Sequence, residues 1–203
     1  MKIAVFVSGK GTNLLNIIKK HQDGYLKSEV KLVISDRDCE AIKNSTSAGI
    51  QTAVTDPTEF INESEYGSVL VRDLEKHGCD FIVLAGFLKR IPNIVVNRFA
   101  NRIINVHPAL LPSFGGKGMY GKRVHEAVLE YGCKVSGATV HIVDTEYDHG
   151  PVLVQKCTPV YDEDTPDSLA FRIHQIEYEV LPEAIKLFEE GKVKINGRKA
   201  RLN

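Results

Sequence analysis

A short apolar run near the middle of the chain, RIINVHPALLPSF (residues 102–114), carries Asn105 and His107 two positions apart, directly before Pro108. Side chains alternate faces along a β-strand, so Asn105 and His107 share one face while Ile104 and Val106 take the other. Pro108 restricts the backbone of His107 to extended conformations, which presents both polar groups at the carboxyl end of the strand. An amide and an imidazole set side by side can donate to an oxygen that turns negative during acyl transfer. A carboxylate behind the imidazole would raise its pKa, hold it as a protonated donor and fix its orientation. The later segment TEYDHGPVL (145–153) offers Asp148 for that task, with Asp144 and Glu146 in the same loop as equal candidates.

A second chemical feature is VSGKGTNLL (7–15). A glycine-rich loop that leaves a first strand and opens a helix presents bare backbone N–H groups at a positive dipole end, a seat for phosphate. Gly9 and Gly11 allow close backbone approach, Thr12 adds a hydroxyl and Asn13 an amide. The third glycine of a dinucleotide fingerprint would fall at Leu14, so a single phosphomonoester fits better than a pyrophosphate. A tight turn with no ligand is the competing reading. Residues 116–122 match the Walker A spacing, but Arg123 stands where Ser or Thr is needed and no strand precedes the loop, so an ATP site is not expected there.

Ser8 and Ser113 lack a nucleophile-elbow context, and no cysteine adjoins these groups. His107, His125, His141 and His149 show no metal-ligand spacing. The chemistry expected is therefore a direct, metal-free acyl-type transfer to a nucleophile that the substrate itself brings.

The elements that must position these groups alternate. Apolar runs at 2–8, 29–35, 51–55, 80–86 and 102–107 read as strands, and helical segments at 13–21, 40–48, 63–77 and 93–99 lie between them. Continuous Val/Ile-rich strands alternating with helices predict a Rossmann-like α/β fold, an open, mostly parallel sheet with helices on both faces. Beyond residue 107 the pattern predicts a glycine loop over a pocket, a helix at 123–131, strands at 138–143 and 152–160, and a long helix at 167–190 interrupted by Pro182. Asn196-Gly197 between short polar-apolar runs signals a closing hairpin.

With 203 residues and 43% hydrophobic content the chain is expected to form one domain, residues 1–100 carrying the phosphate loop and 101–203 the catalytic groups. Lys plus Arg and Asp plus Glu both total 26, with no block of like charge, so neither a nucleic-acid nor a membrane surface is indicated. Four widely spaced cysteines without a CxxC pair, and an N-terminus with too short an apolar run for a signal peptide, suggest the reducing cytoplasm.

The motifs SGKGTN (8–13), LAGFLKRIP (84–92), INVHPALLPSF (104–114) and SGATVHIVDTEYDHGPVLVQ (136–155) occur in one order. Together they closely resemble the folate-dependent phosphoribosylglycinamide formyltransferases of purine biosynthesis. The resemblance implies transfer of a formyl group from 10-formyltetrahydrofolate, as co-substrate, to the primary amine of glycinamide ribonucleotide, with no metal. It implies a catalytic trio of Asn105, His107 and Asp148. It assigns Gly11, Thr12 and Asn13 to the ribonucleotide phosphate and Glu177 to its sugar. It assigns Leu88, Lys89, Arg90 and Ile91 to the folate pocket, together with Asn105, Val143 and Asp144. His149, where relatives often have Gly, and Lys89, where Arg is frequent, depart from the family pattern. Methionyl-tRNA formyltransferases carry a further basic C-terminal domain and formyltetrahydrofolate hydrolases an N-terminal regulatory domain, and neither is expected in a chain with this start, end and charge. A folate- or nucleotide-binding module without activity is the non-enzyme alternative. A homodimer is left open.

Overall fold

The structure is a computed structural model and describes residues 1–202. Seven strands form a mostly parallel sheet in the order β3-β2-β1-β4-β5-β6-β7, with helices on both sides. The strands are β1 (Lys2–Val7), β2 (Glu29–Ser35), β3 (Gln51–Val54), β4 (Phe81–Leu84), β5 (Ile103–His107), β6 (Val135–Ile142) and β7 (Val152–Pro159). The chain divides into two compact units, residues 1–104 and 105–203, with the division inside β5.

In the first unit, β1 pairs in parallel with β2 and β4, and β2 with β3. From Ile3 to Val7 every residue of β1 is buried, as expected of a strand covered on both faces. Helices α1 (Thr12–Gln22), α2 (Glu40–Ser47), α3 (Glu63–Lys76) and α4 (Asn93–Arg98) separate the strands. Asn62 caps α3 by accepting the Glu65 N–H at 2.9 Å, which marks that helix start in the sequence. By contrast α1 starts at Gly11, which has no side chain to cap it, and its first turn carries no acidic residue.

In the second unit, β6 and β7 are antiparallel, with a register shift between Val140 and His141. Helix α5 (Lys122–Glu130) precedes them and α6 (Pro166–Glu189) follows. Thr165 and Ser168 cap α6 reciprocally, with Pro166 in its first turn. The expected interruption at Pro182 does not occur: α6 runs through it unbroken. Val180, Leu181, Ala184 and Ile185 around it are all 0% exposed. Burying that apolar face offsets the backbone hydrogen bond a proline cannot donate. A two-stranded sheet of β8 (Val193–Asn196) and β9 (Lys199–Leu202) forms the expected terminal hairpin. Among the described residues no helix is long and apolar enough to cross a membrane.

Candidate active site

The carboxyl end of β5 presents Asn105 half-buried and His107 buried, while Ile104 and Val106 enter the core. The His107 ring is held from two directions. Its Nε2–H donates to the Phe114 carbonyl at 2.8 Å, and its Nδ1 lies 3.6 Å from Oδ2 of Asp148. Asp148 sits in the left-handed region at φ 52°, a conformation that Asp and Asn tolerate better than other side chains. Its Oδ2 accepts the Gly116 N–H at 2.9 Å, and its Oδ1 accepts from Nδ2 of Asn105 at 3.4 Å. Of the three acids in that loop, Asp148 is the one brought to the imidazole. Asp144 accepts the Glu146 N–H at 2.9 Å and contacts His149 at 3.0 Å, and Val143 beside it is half-buried.

His141 joins this cluster and was missed as a member of it. In the sequence it counts only as a metal candidate. Its Nδ1–H donates to the Ile142 carbonyl at 2.9 Å, which leaves Nε2 to accept from Nδ2 of Asn105 at 3.1 Å. A histidine inside the apolar strand ATVHIV was the available signal. Thr139, two residues before it, ties residues 109–111 to β6: its hydroxyl donates to the Ala109 carbonyl at 2.6 Å and accepts the Leu111 N–H at 3.1 Å.

Electrostatics corrects one expectation. His107 is pushed below its ordinary pKa, because burial disfavours the imidazolium more than the Asp148 carboxylate and the Phe114 carbonyl favour it; His141 adds to the lowering. Asp148 raises the value as expected, but does not prevail. Burial would also raise the Asp148 carboxyl, yet the His141 and His107 rings and the Gly116 N–H hold it below the usual carboxylate range. A neutral imidazole beside an ionised carboxylate is the resting state. His125 on α5, 2% exposed, is pushed down to about 4 by burial, with His174 and His107 adding to it.

The Walker-like loop serves this cluster. Gly116 supplies the N–H to Asp148, and a Cβ at Gly115 would meet Cδ2 of Leu111 at 2.5 Å and Cβ of Asp148 at 3.2 Å. Among the described residues no group of three or more His, Cys, Asp and Glu is placed to hold a metal ion.

In the first unit Gly11 has φ +73°, and a Cβ there would meet Ala41 Cβ at 2.5 Å. The fold itself therefore demands that glycine. Gly9 is different: nothing lies within 4 Å of a Cβ built on it, so packing gives no reason for its being glycine. Thr12 is exposed and Asn13 buried in the first turn of α1. The Ser8 hydroxyl accepts the Leu88 N–H at 2.9 Å, a structural task rather than a nucleophile's. Leu88 and Arg90 are exposed, Lys89 is half-buried and Ile91 is 4% exposed. Lys89 and Arg90 line a cavity of about 310 Å³ with Pro57, Phe60, Asn62, Glu63 and Tyr66. Glu177 on α6 is 5% exposed.

The family model for the formyl transferases matches residues 1–185. The chain belongs to the formyl transferase family. Among curated members of this family, it is 42% identical to the chloroplastic phosphoribosylglycinamide formyltransferase of Arabidopsis thaliana over 95% of its own length, and 34% identical to that of Haemophilus influenzae over 100%. It spans 67% of the Arabidopsis protein, 62% of the cowpea (Vigna unguiculata) counterpart and 93% of the Haemophilus one. The solved glycinamide ribonucleotide transformylase 1 of Symbiobacterium toebii shares the formyl transferase fold with a TM-score of 0.94 at 36% identity, covering 100% of this chain and 93% of that one.

Proposed function

We propose that this formyl transferase moves the formyl group of 10-formyltetrahydrofolate to the primary amine of glycinamide ribonucleotide. The support is the cluster of Asn105, His107 and Asp148 at the end of β5, in a chain whose relatives bear that activity in their names. The family match runs through both compact units, which supports their acting as one formyltransferase domain.

The amine attacks the formyl carbon, and the carbonyl oxygen takes up the electron pair. The carbon–nitrogen bond to the folate then breaks, and the proton lost by the attacking nitrogen reaches the folate nitrogen. Asn105 turns one amide hydrogen from Oδ1 of Asp148, where it rests at 3.4 Å, to the developing oxyanion. His107 donates through Nε2–H as a neutral imidazole, exchanging the Phe114 carbonyl for that oxygen. Loss of one such donor typically costs about 3–4 kcal/mol of barrier. Asp148 orients the imidazole from the Nδ1 side. The uncapped first turn of α1, with Gly9, Gly11, Thr12 and Asn13, holds the phosphate, and Glu177 the sugar. Leu88, Lys89, Arg90 and Ile91 hold the folate with Val143 and Asp144. The four cysteines are free, which supports a cytoplasmic enzyme.

One assay tests this reading: incubation with 10-formyltetrahydrofolate, with and without glycinamide ribonucleotide, following loss of the donor. Consumption that needs the ribonucleotide is expected. Consumption without it would make water the acceptor, and no consumption at all would leave only a binding protein.

A further inference from the structure

The loop that carries Asp148 is shaped by its own residues and then touched from outside. Within the loop, Asp144 accepts the Glu146 N–H through Oδ1 and holds Nδ1 of His149 at 3.0 Å through Oδ2. The Ile142 N–H donates to the Pro151 carbonyl at 2.9 Å and closes its base. A Cβ on Gly150 would lie 1.9 Å from the Ile142 carbonyl oxygen, so the loop turns back as tightly as glycine permits. Asp148, at φ 52°, lies between these constraints.

The outside contact comes from the terminal hairpin. Strand β9 lies against β7, and the hairpin turns through Gly197 and Arg198, with Asn196 paired to Lys199. Gly197 has φ 56°, the positive value that the first residue of a tight two-residue hairpin turn of this kind takes. Arg198 is thereby the tip. Its Nη1 lies 2.5 Å from Nε2 and 2.9 Å from Nδ1 of His149. A guanidinium can only donate. The guanidinium therefore lies across both ring nitrogens of His149, whose Nδ1 also meets Asp144, so Arg198, His149 and Asp144 form one chain of contacts.

We infer that Arg198 is a positioning residue: through His149 it pins the loop that presents Asp148 to His107. This rests on the functional reading above only in that Asp148 must matter to turnover. His149 and Asp144 are partly exposed, so the tie is screened by solvent and shifts the loop's population modestly rather than holding the fold together.

The test uses Arg198→Ala, Arg198→Lys, His149→Ala and the double Arg198→Ala/His149→Ala variant of the full chain. Amide hydrogen exchange across residues 143–150 is measured without ligand, and turnover and both Michaelis constants with substrates. For Arg198→Ala, exchange in this loop is expected to rise about two- to fivefold and turnover to fall by a similar factor. The ribonucleotide Michaelis constant and the melting temperature should stay put. Arg198→Lys should recover part of the loss, and the double variant should be no worse than the worse single one. Unchanged loop exchange in Arg198→Ala, or losses that add in the double variant, would overturn the inference. Should the protein transfer no formyl group at all, the exchange measurement still decides on Arg198 while the functional reading alone fails.

Discussion

Replacing Asp148 by Asn removes a charge and leaves the shape. Asn tolerates the left-handed backbone at φ 52°, and its amide oxygen can keep the Gly116 N–H now accepted at 2.9 Å. The glycine loop should therefore stay attached. What changes is the other atom: an NH2 group replaces Oδ1 and meets Nδ2 of Asn105, which now donates to that oxygen at 3.4 Å. Two donors then face each other in a buried cluster, and His107 loses the anion 3.6 Å from its Nδ1. A hydrogen bond to a charged group contributes about 1.5–3 kcal/mol, and at about 1.4 kcal/mol per decade this predicts a fall in turnover of roughly ten- to a hundredfold. The ribonucleotide Michaelis constant should move less than twofold, because its phosphate is assigned elsewhere. Asp148 also raises the His107 pKa, so in the variant the acid limb of the turnover profile should shift to lower pH. Steady-state kinetics with each substrate varied in turn, from pH 5 to 9, measures all three effects. Turnover within threefold of the parent, or a loss confined to the ribonucleotide Michaelis constant, would refute the role given to this carboxylate.

The other expectations are more compact. His125, held down at about 4, takes up its proton in the unfolded chain near pH 6.5 and in the folded one only well below that. Its share of stability is therefore intact at pH 8 and is lost as pH falls from 6.5 toward 4, up to about 3 kcal/mol. Urea unfolding at pH 8 and pH 5 should show the loss, and His125→Leu should flatten it. Gly9→Ala should leave the melting temperature unchanged, since nothing lies within 4 Å of the new methyl, while raising the ribonucleotide Michaelis constant about tenfold; an unchanged constant would remove the phosphate from this loop. Gly115→Ala drives a methyl toward Leu111 and Asp148, and should lower turnover about tenfold through displacement of that carboxylate, with a crystal structure of the variant as the check.

Much of the fold could be read locally. Strands β1, β2 and β4 of the first unit are mostly buried apolar runs and fall within about a residue or two of their expected ends, because a strand buried on both faces leaves no polar alternation to obscure it. The caps of two helices, Asn62 on α3 and Thr165 with Pro166 on α6, were seen only in the structure. Pro182 misled, because a local rule against proline in helices competes with an apolar face whose burial is set by the rest of the second unit. In the candidate site the pair Asn105 and His107 was legible from two-residue periodicity alone. His141 was not: a histidine in an apolar strand looks the same whether it fills the core or accepts from an amide.

The sequence by itself determined which groups could do chemistry and that Asn105 and His107 must share a face, since alternation along a strand depends only on neighbouring residues. Tertiary structure alone decided that Asp148, rather than Asp144 or Glu146, reaches the imidazole, that Phe114 and Gly116 hold the pair, and that His107 rests neutral. Those outcomes depend on distance and on exclusion of water, both fixed by segments far apart along the chain: the contacts among residues 105–107, 114–116, 141 and 148, and the shifts of His107 and Asp148, arise only after folding brings these segments together.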